Sequence, residues 1–124
     1  NEGDGTFQVH ELPLEAQFAP VHAVLADDFD GDGKRDLLLA GNFSGVTPFE
    51  GRYDASYGML LLGDGEGGFE AVNPAETGLY LTGEVRHMRF IRQPNGQRLI
   101  LAARNDDRPQ LVRPLHSGRD VATR

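Results

Sequence analysis

Asp28, Asp30 and Asp32 stand at alternate positions of the run Asp28-Phe29-Asp30-Gly31-Asp32-Gly33-Lys34-Arg35-Asp36, and a fourth carboxylate closes the run. Bare, these groups repel one another. A hard divalent cation that takes six to eight oxygen ligands removes that repulsion. Gly31 and Gly33 let the backbone curl so that alternate side chains face one point. The predicted ligands are the side chains of Asp28, Asp30, Asp32 and Asp36, with the carbonyl of Lys34 and one or two waters completing the shell. Calcium suits a crowded carboxylate loop better than magnesium, which demands tight octahedral geometry and keeps its waters. An EF-hand loop also opens Asp-x-Asp-x-Asp-Gly, but its twelfth position must be a bidentate Glu, and here that position is Leu39 inside an apolar run.

Other chemistry is sparse. His10, His22, His87 and His116 have no metal-ligand spacing, and Ser44, Ser56 and Ser117 lack the Gly-x-Ser-x-Gly setting of a nucleophile elbow. No Gly-rich loop leads into Lys-Ser or Lys-Thr, so there is no nucleotide-binding P-loop. Glu50, Asp54, Asn105, Asp106 and Asp107 are read as surface-loop residues in preference to a second cation site, and Asp4 and Asp64 as turn formers. Asn42-Phe43-Ser44 fits the glycosylation acceptor pattern, which is common by chance. If the long segment 42–57 binds something, Phe43, Phe49, Tyr53 and Tyr57 are its contact residues.

The elements that must position the acidic loop are short strands. Apolar runs at Phe7–Leu12, Val21–Ala26, Asp36–Ala40, Gly58–Leu62, Phe69–Val72, Val85–Ile91, Arg98–Ala103 and Gln110–Leu115 are bounded by Gly, Asp, Asn and Pro. None reaches the roughly 10–12 residues of an amphipathic helix. The turns Gly63-Asp64-Gly65-Glu66-Gly67-Gly68 and Gln93-Pro94-Asn95-Gly96-Gln97 read as hairpin connections, and 16 glycines fit a chain of many tight turns. The expected class is all-β with antiparallel neighbours.

The chain repeats itself. Gly3-Asp4-Gly5-Thr6-Phe7 returns as Gly63-Asp64-Gly65-Glu66-Gly67-Gly68-Phe69, and Lys34-Arg35-Asp36-Leu37-Leu38-Leu39-Ala40-Gly41-Asn42 matches Gln97-Arg98-Leu99-Ile100-Leu101-Ala102-Ala103-Arg104-Asn105 at an offset of 63. A fixed period of this size with four strands per unit points to β-propeller blades. In the second copy Asp28, Asp30, Asp32 and Asp36 map to Ile91, Gln93, Asn95 and Leu99, so no metal is expected there.

The run Val24-Leu25-Ala26-Asp27-Asp28 through Gly41-Asn42, followed by Leu60-Leu61-Leu62 and Gly63-Asp64-Gly65…Phe69, resembles FG-GAP and VCBS repeats over residues 21–72. The resemblance implies a blade of an integrin-like propeller with calcium in the hairpin between its first two strands, held by Asp28, Asp30, Asp32, Asp36 and the carbonyl of Lys34. It divides the chain into the last strand of a preceding blade at 1–15, a complete calcium-loop blade at 16–76, a degenerate blade at 77–116 and a flexible tail at 117–124. That makes about two blades, to be completed by further chain of the same propeller or by self-association.

Composition narrows the partners. With 12 Lys and Arg against 19 Asp and Glu the formal charge is −7, which disfavours nucleic acid because its binding needs a basic face. There is no Cys, hence no disulfide framework and no thiolate metal site. No run of about 18 apolar residues offers a membrane span. The expected function is a calcium-binding, exported (extracellular, cell-surface or periplasmic) and non-catalytic module for adhesion, or for binding a protein or carbohydrate. The alternative is part of a calcium-dependent polysaccharide-active enzyme, a lyase- or hydrolase-like propeller.

Overall fold

The structure, a computed structural model, describes residues 1–42, 56–114 and 121–123. Among these residues eight strands form two antiparallel sheets. The first has the order β1 (Val21–Asp27), β2 (Asp36–Gly41), β3 (Met59–Gly63), β4 (Phe69–Ala71); the second has β5 (Val85–Arg92), β6 (Arg98–Arg104), β7 (Gln110–Pro114), β8 (Val121–Thr123). Each sheet is a simple meander, and the two do not close a ring. Among the described residues helix is confined to two single turns, a 3-10 turn at Leu14–Gln17 and α1 at Pro74–Thr77. No helix among the described residues is long and apolar enough to cross a membrane.

Burial explains the strand sequences. β2, flanked by β1 and β3, is almost wholly buried and reads Asp-Leu-Leu-Leu-Ala-Gly, whereas the edge strand β1 alternates exposed and covered residues. One cluster forms the core, with Ala23, Leu38, Ala40 and Leu60 from the first sheet and Val85, Met88, Ile100, Ala102 and Val112 from the second. Leu79 and Leu81, on the segment linking the sheets, complete it.

The duplication read from the sequence is a duplication of geometry. β1 slips register on β2 between Val21 and Ala23, and β5 slips on β6 between Val85 and His87. The residue after β2, Asn42, donates its N–H to Pro20 O at 3.0 Å; its counterpart Asn105 donates to Glu84 O at 2.8 Å. The backbone of β2 crowds this contact: a Cβ on Gly41 would lie 1.8 Å from Pro20 O.

Two expectations change at the ends. Phe7–Leu12 is not a strand, because a strand exists only when hydrogen-bonded to a neighbour and no described strand lies beside it. Conversely the tail 117–124 contains β8, whose Val121, Ala122 and Thr123 pair with Pro114, Arg113 and Val112. Seven predicted strands stand within one or two residues of their expected bounds, although Leu115 lies outside the described residues. The single-turn α1 was not foreseen. Its signals are local: Asn73 caps it by accepting the Ala75 N–H at 3.0 Å, Pro74 opens it, and Gly78 leaves it at φ 63°.

Candidate metal centre in the first hairpin

β1 and β2 run antiparallel down to the pair Asp27 and Asp36, and residues 28–35 form the connection. Gly31 and Gly33 take φ of 83° and 85°, where side-chained residues are disfavoured, so the backbone folds its N–H groups inward. Those groups meet Asp28. Its Oδ1 accepts from Gly31 N at 2.7 Å and Asp32 N at 3.1 Å, and its Oδ2 accepts from Gly33 N at 2.9 Å. Hydrogen bonding to the ionised form, that of Gly33 foremost, holds the Asp28 carboxyl below the usual aspartate range.

Asp36 is the buried member. Fully covered at the start of β2, it accepts the Phe29 N–H at 2.7 Å on Oδ2 and the Gly63 N–H at 3.0 Å on Oδ1. One carboxylate thus ties the loop to the end of β3. Phe29 turns the other way, into the inter-sheet core, with its ring centroid 6.3 Å from that of Phe90.

Asp30 stands between these two. Desolvation and the neighbouring charges of Asp32, Asp36 and Asp28 outweigh the hydrogen bond from Asp32 N and push its carboxyl up. One carboxylate oxygen each from Asp28, Asp30 and Asp36 fall within 4.8 Å of one another, the one such group among the described residues. Oxygens on opposite sides of a calcium ion are about 5 Å apart, given calcium–oxygen distances of about 2.3–2.6 Å. The donor set therefore fits a hard divalent cation: three carboxylates, no nitrogen and no sulfur.

The fourth predicted carboxylate, Asp32, is placed differently. Asp32 accepts the Lys34 N–H at 2.8 Å on Oδ1 and faces the Lys34 ammonium at 3.5 Å with Oδ2, so it lies outside the converging three. Lys34 reaches across to the β3–β4 turn, with its side chain beside Gly65. That turn adds charge nearby. An open groove beside the loop is bordered by Asp30, Asp32, Asp64, Phe69 and Glu70. Asp64 accepts the N–H groups of Glu66 at 2.6 Å and Gly68 at 3.0 Å, and these bonds lower its carboxyl's pKa.

In the second hairpin neutral groups do the corresponding work. Gln93 N donates to Gln97 O at 2.8 Å and Asn95 Oδ1 accepts Gln97 N at 3.0 Å, with Gly96 at φ 85°. Leu99, the counterpart of Asp36, pairs across β5 and β6 with Ile91, which by register stands in the place of Asp27 and not of Asp28. Of the other residues singled out, Phe43, Phe49, Glu50, Tyr53, Asp54, His116 and Ser117 lie outside the described residues, as does Ser44. Asn105 reaches Glu84 Oε2 at 2.6 Å and Asp107 pairs with Arg104 at 3.0 Å, so these two serve the base of β6. Tyr57 stacks on Tyr80, a partner that nothing in the sequence singled out, at 4.8 Å between ring centroids.

Comparison with protein-family models, with curated proteins and with solved structures found no match.

Proposed function

We propose that this chain is a calcium-binding β-repeat module, two blades of an FG-GAP/VCBS-like propeller, that works outside the cell as a non-catalytic element for binding a protein or carbohydrate. The observation that carries the reading is the convergence of Asp28, Asp30 and Asp36 at the tip of the first hairpin. In the bound state Asp32 turns from Lys34 to join them, and the carbonyl of Lys34 and water complete the shell.

The physical role of the ion is stabilisation. It offsets the mutual repulsion of the carboxylates and locks β1 to β2. At a calcium concentration about 100-fold above the dissociation constant, binding adds about 2.7 kcal/mol. That is a large share of the stability of a domain this size. Sites of this kind match calcium where it is abundant, which favours an exported location.

Isothermal titration of the chelator-treated protein with calcium chloride tests the reading, together with melting curves in calcium and in EDTA. One calcium per chain, a rise in the melting midpoint with calcium and a much weaker response to magnesium are expected. A midpoint indifferent to both ions and to EDTA removes the metal from the account.

A further inference from the structure

Two surfaces exposed among the described residues complement each other. The first is the segment 2–18. Phe7 is 76% and Val9 97% exposed, Leu14 and Phe18 are exposed too, and Glu11 and Glu15 lie among them. This segment repeats the parts of 64–84. The turns share their two left-handed glycines, Gly3 and Gly5 at φ 84° and 91° against Gly65 and Gly67 at 82° and 97°. They share the closing bond, Glu2 N to Thr6 O at 2.9 Å against Asp64 N to Gly68 O at 3.0 Å. Each then passes through one helical turn, Leu14–Gln17 or Pro74–Thr77, into the first strand of a sheet. In the second instance the segment buries Leu79 and Leu81 to 3% and 1% exposure against the preceding sheet. In the first instance no preceding sheet is present among the described residues.

The second surface is the outer face of the second sheet. Pairings of His87 with Ala103, Arg89 with Leu101, and Leu101 with Leu111 place these side chains on one face, with Ile91 and Arg113 on it by alternation. Ala23 and Leu38, on the matching face of the first sheet, are buried under the second sheet. On the second sheet His87, Arg89 and Leu111 are exposed. The named residues of this face carry basic groups and no carboxylate, in a chain whose net charge is −7. Arg113 Nε is covered and has no hydrogen-bond partner. The end of the 2–18 segment borders Leu39 and Met59, on the face of the first sheet opposite Leu38 and Leu60. The two surfaces therefore lie at opposite ends of the molecule.

We infer that segment 2–18 of one copy docks on the outer face of the second sheet of another copy, as segment 64–84 docks on the first sheet within one chain. Its apolar residues cover Ile91, Leu101 and Leu111, and its carboxylates meet Arg89 and Arg113. Since the two surfaces differ, the association is head-to-tail and adds copies until a ring closes. The inference goes beyond the calcium reading and does not rest on it, as none of these residues belongs to the 28–36 loop.

Sedimentation equilibrium on the chain, in calcium and again in EDTA, tests it. The expected mass rises with concentration beyond that of a dimer of 13.6 kDa chains. Val9→Lys and, separately, Arg89→Glu should each weaken association at least about 100-fold, because each brings like charges together at the contact. Both sites are exposed, so the variants keep their circular dichroism and melting midpoint. A monomer at concentrations up to about 1 mM, the weakest affinity a specific contact would show, overturns the inference. So does association that stops at a dimer, or that neither substitution weakens. A protein that takes up no calcium on titration and still associates would sink the calcium reading alone.

Discussion

Asp36 carries two structural duties besides any it has toward a cation. Because both its oxygens accept buried N–H groups, from Phe29 and Gly63, Asp36→Ala strands two donors. Equilibrium urea unfolding should show a loss of about 2–4 kcal/mol, present in EDTA as well as in calcium. Asp30→Asn is the contrasting variant. Its carboxylate accepts one exposed N–H, so the titration should lose its calcium response while stability in EDTA stays within about 0.5 kcal/mol. Asp64 gives a pH signature. Its pKa is lowered by the bonds from Glu66 and Gly68, so its contribution to stability is full above the ordinary aspartate range and fades as pH falls through the lowered value. An NMR titration should place Asp64 below an unstructured aspartate, and Asp64→Asn should flatten the acid-side fall of the melting midpoint. At this scale the sequence was informative about which residues converge, because alternate carboxylates separated by glycines have few stable arrangements. It was silent on Asp32 turning toward Lys34, and on the double acceptance by Asp36, which depends on where the end of β3 lies.

Strands were legible wherever a run was both apolar and bounded by turn residues, as in Leu37–Ala40 or Leu60–Leu62. The failures have one cause, which is that pairing is not local. Phe7–Leu12 has strand composition and no strand partner among the described residues, while Val121-Ala122-Thr123 is too short to signal a strand yet pairs with β7. Close approach between elements was equally hidden. A Cβ on Gly63 would sit 2.0 Å from Arg35 O, so the end of β3 fits against the loop only as glycine. Gly63→Ala should cost at least about 3 kcal/mol in urea unfolding, through backbone displacement of the kind that overpacking causes. It should also weaken calcium binding, because the Gly63 N–H orients Asp36.

Between the sheets, the second hairpin supports the first. Arg98, at the start of β6, reaches back to Asp27 with a 2.6 Å ion pair and lies over the Phe90 ring at 4.5 Å, while Phe90 packs against Phe29 of the acidic loop. Arg98→Ala should lower stability by about 1–2 kcal/mol, and a double-mutant cycle with Asp27→Ala should return part of it as coupling. Partial exposure of the pair keeps the expected value modest. The two copies of the repeat have thus diverged into complementary parts, one keeping the carboxylates and the other supplying the aromatic ring and guanidinium beside them. Units specialised in this way are not interchangeable. Transposed, the acidic loop would look out from the last sheet with no ring to lean on, and the ion pair would have no donor. The molecule accordingly has a built-in direction, and a tandem made from it can be read correctly one way only.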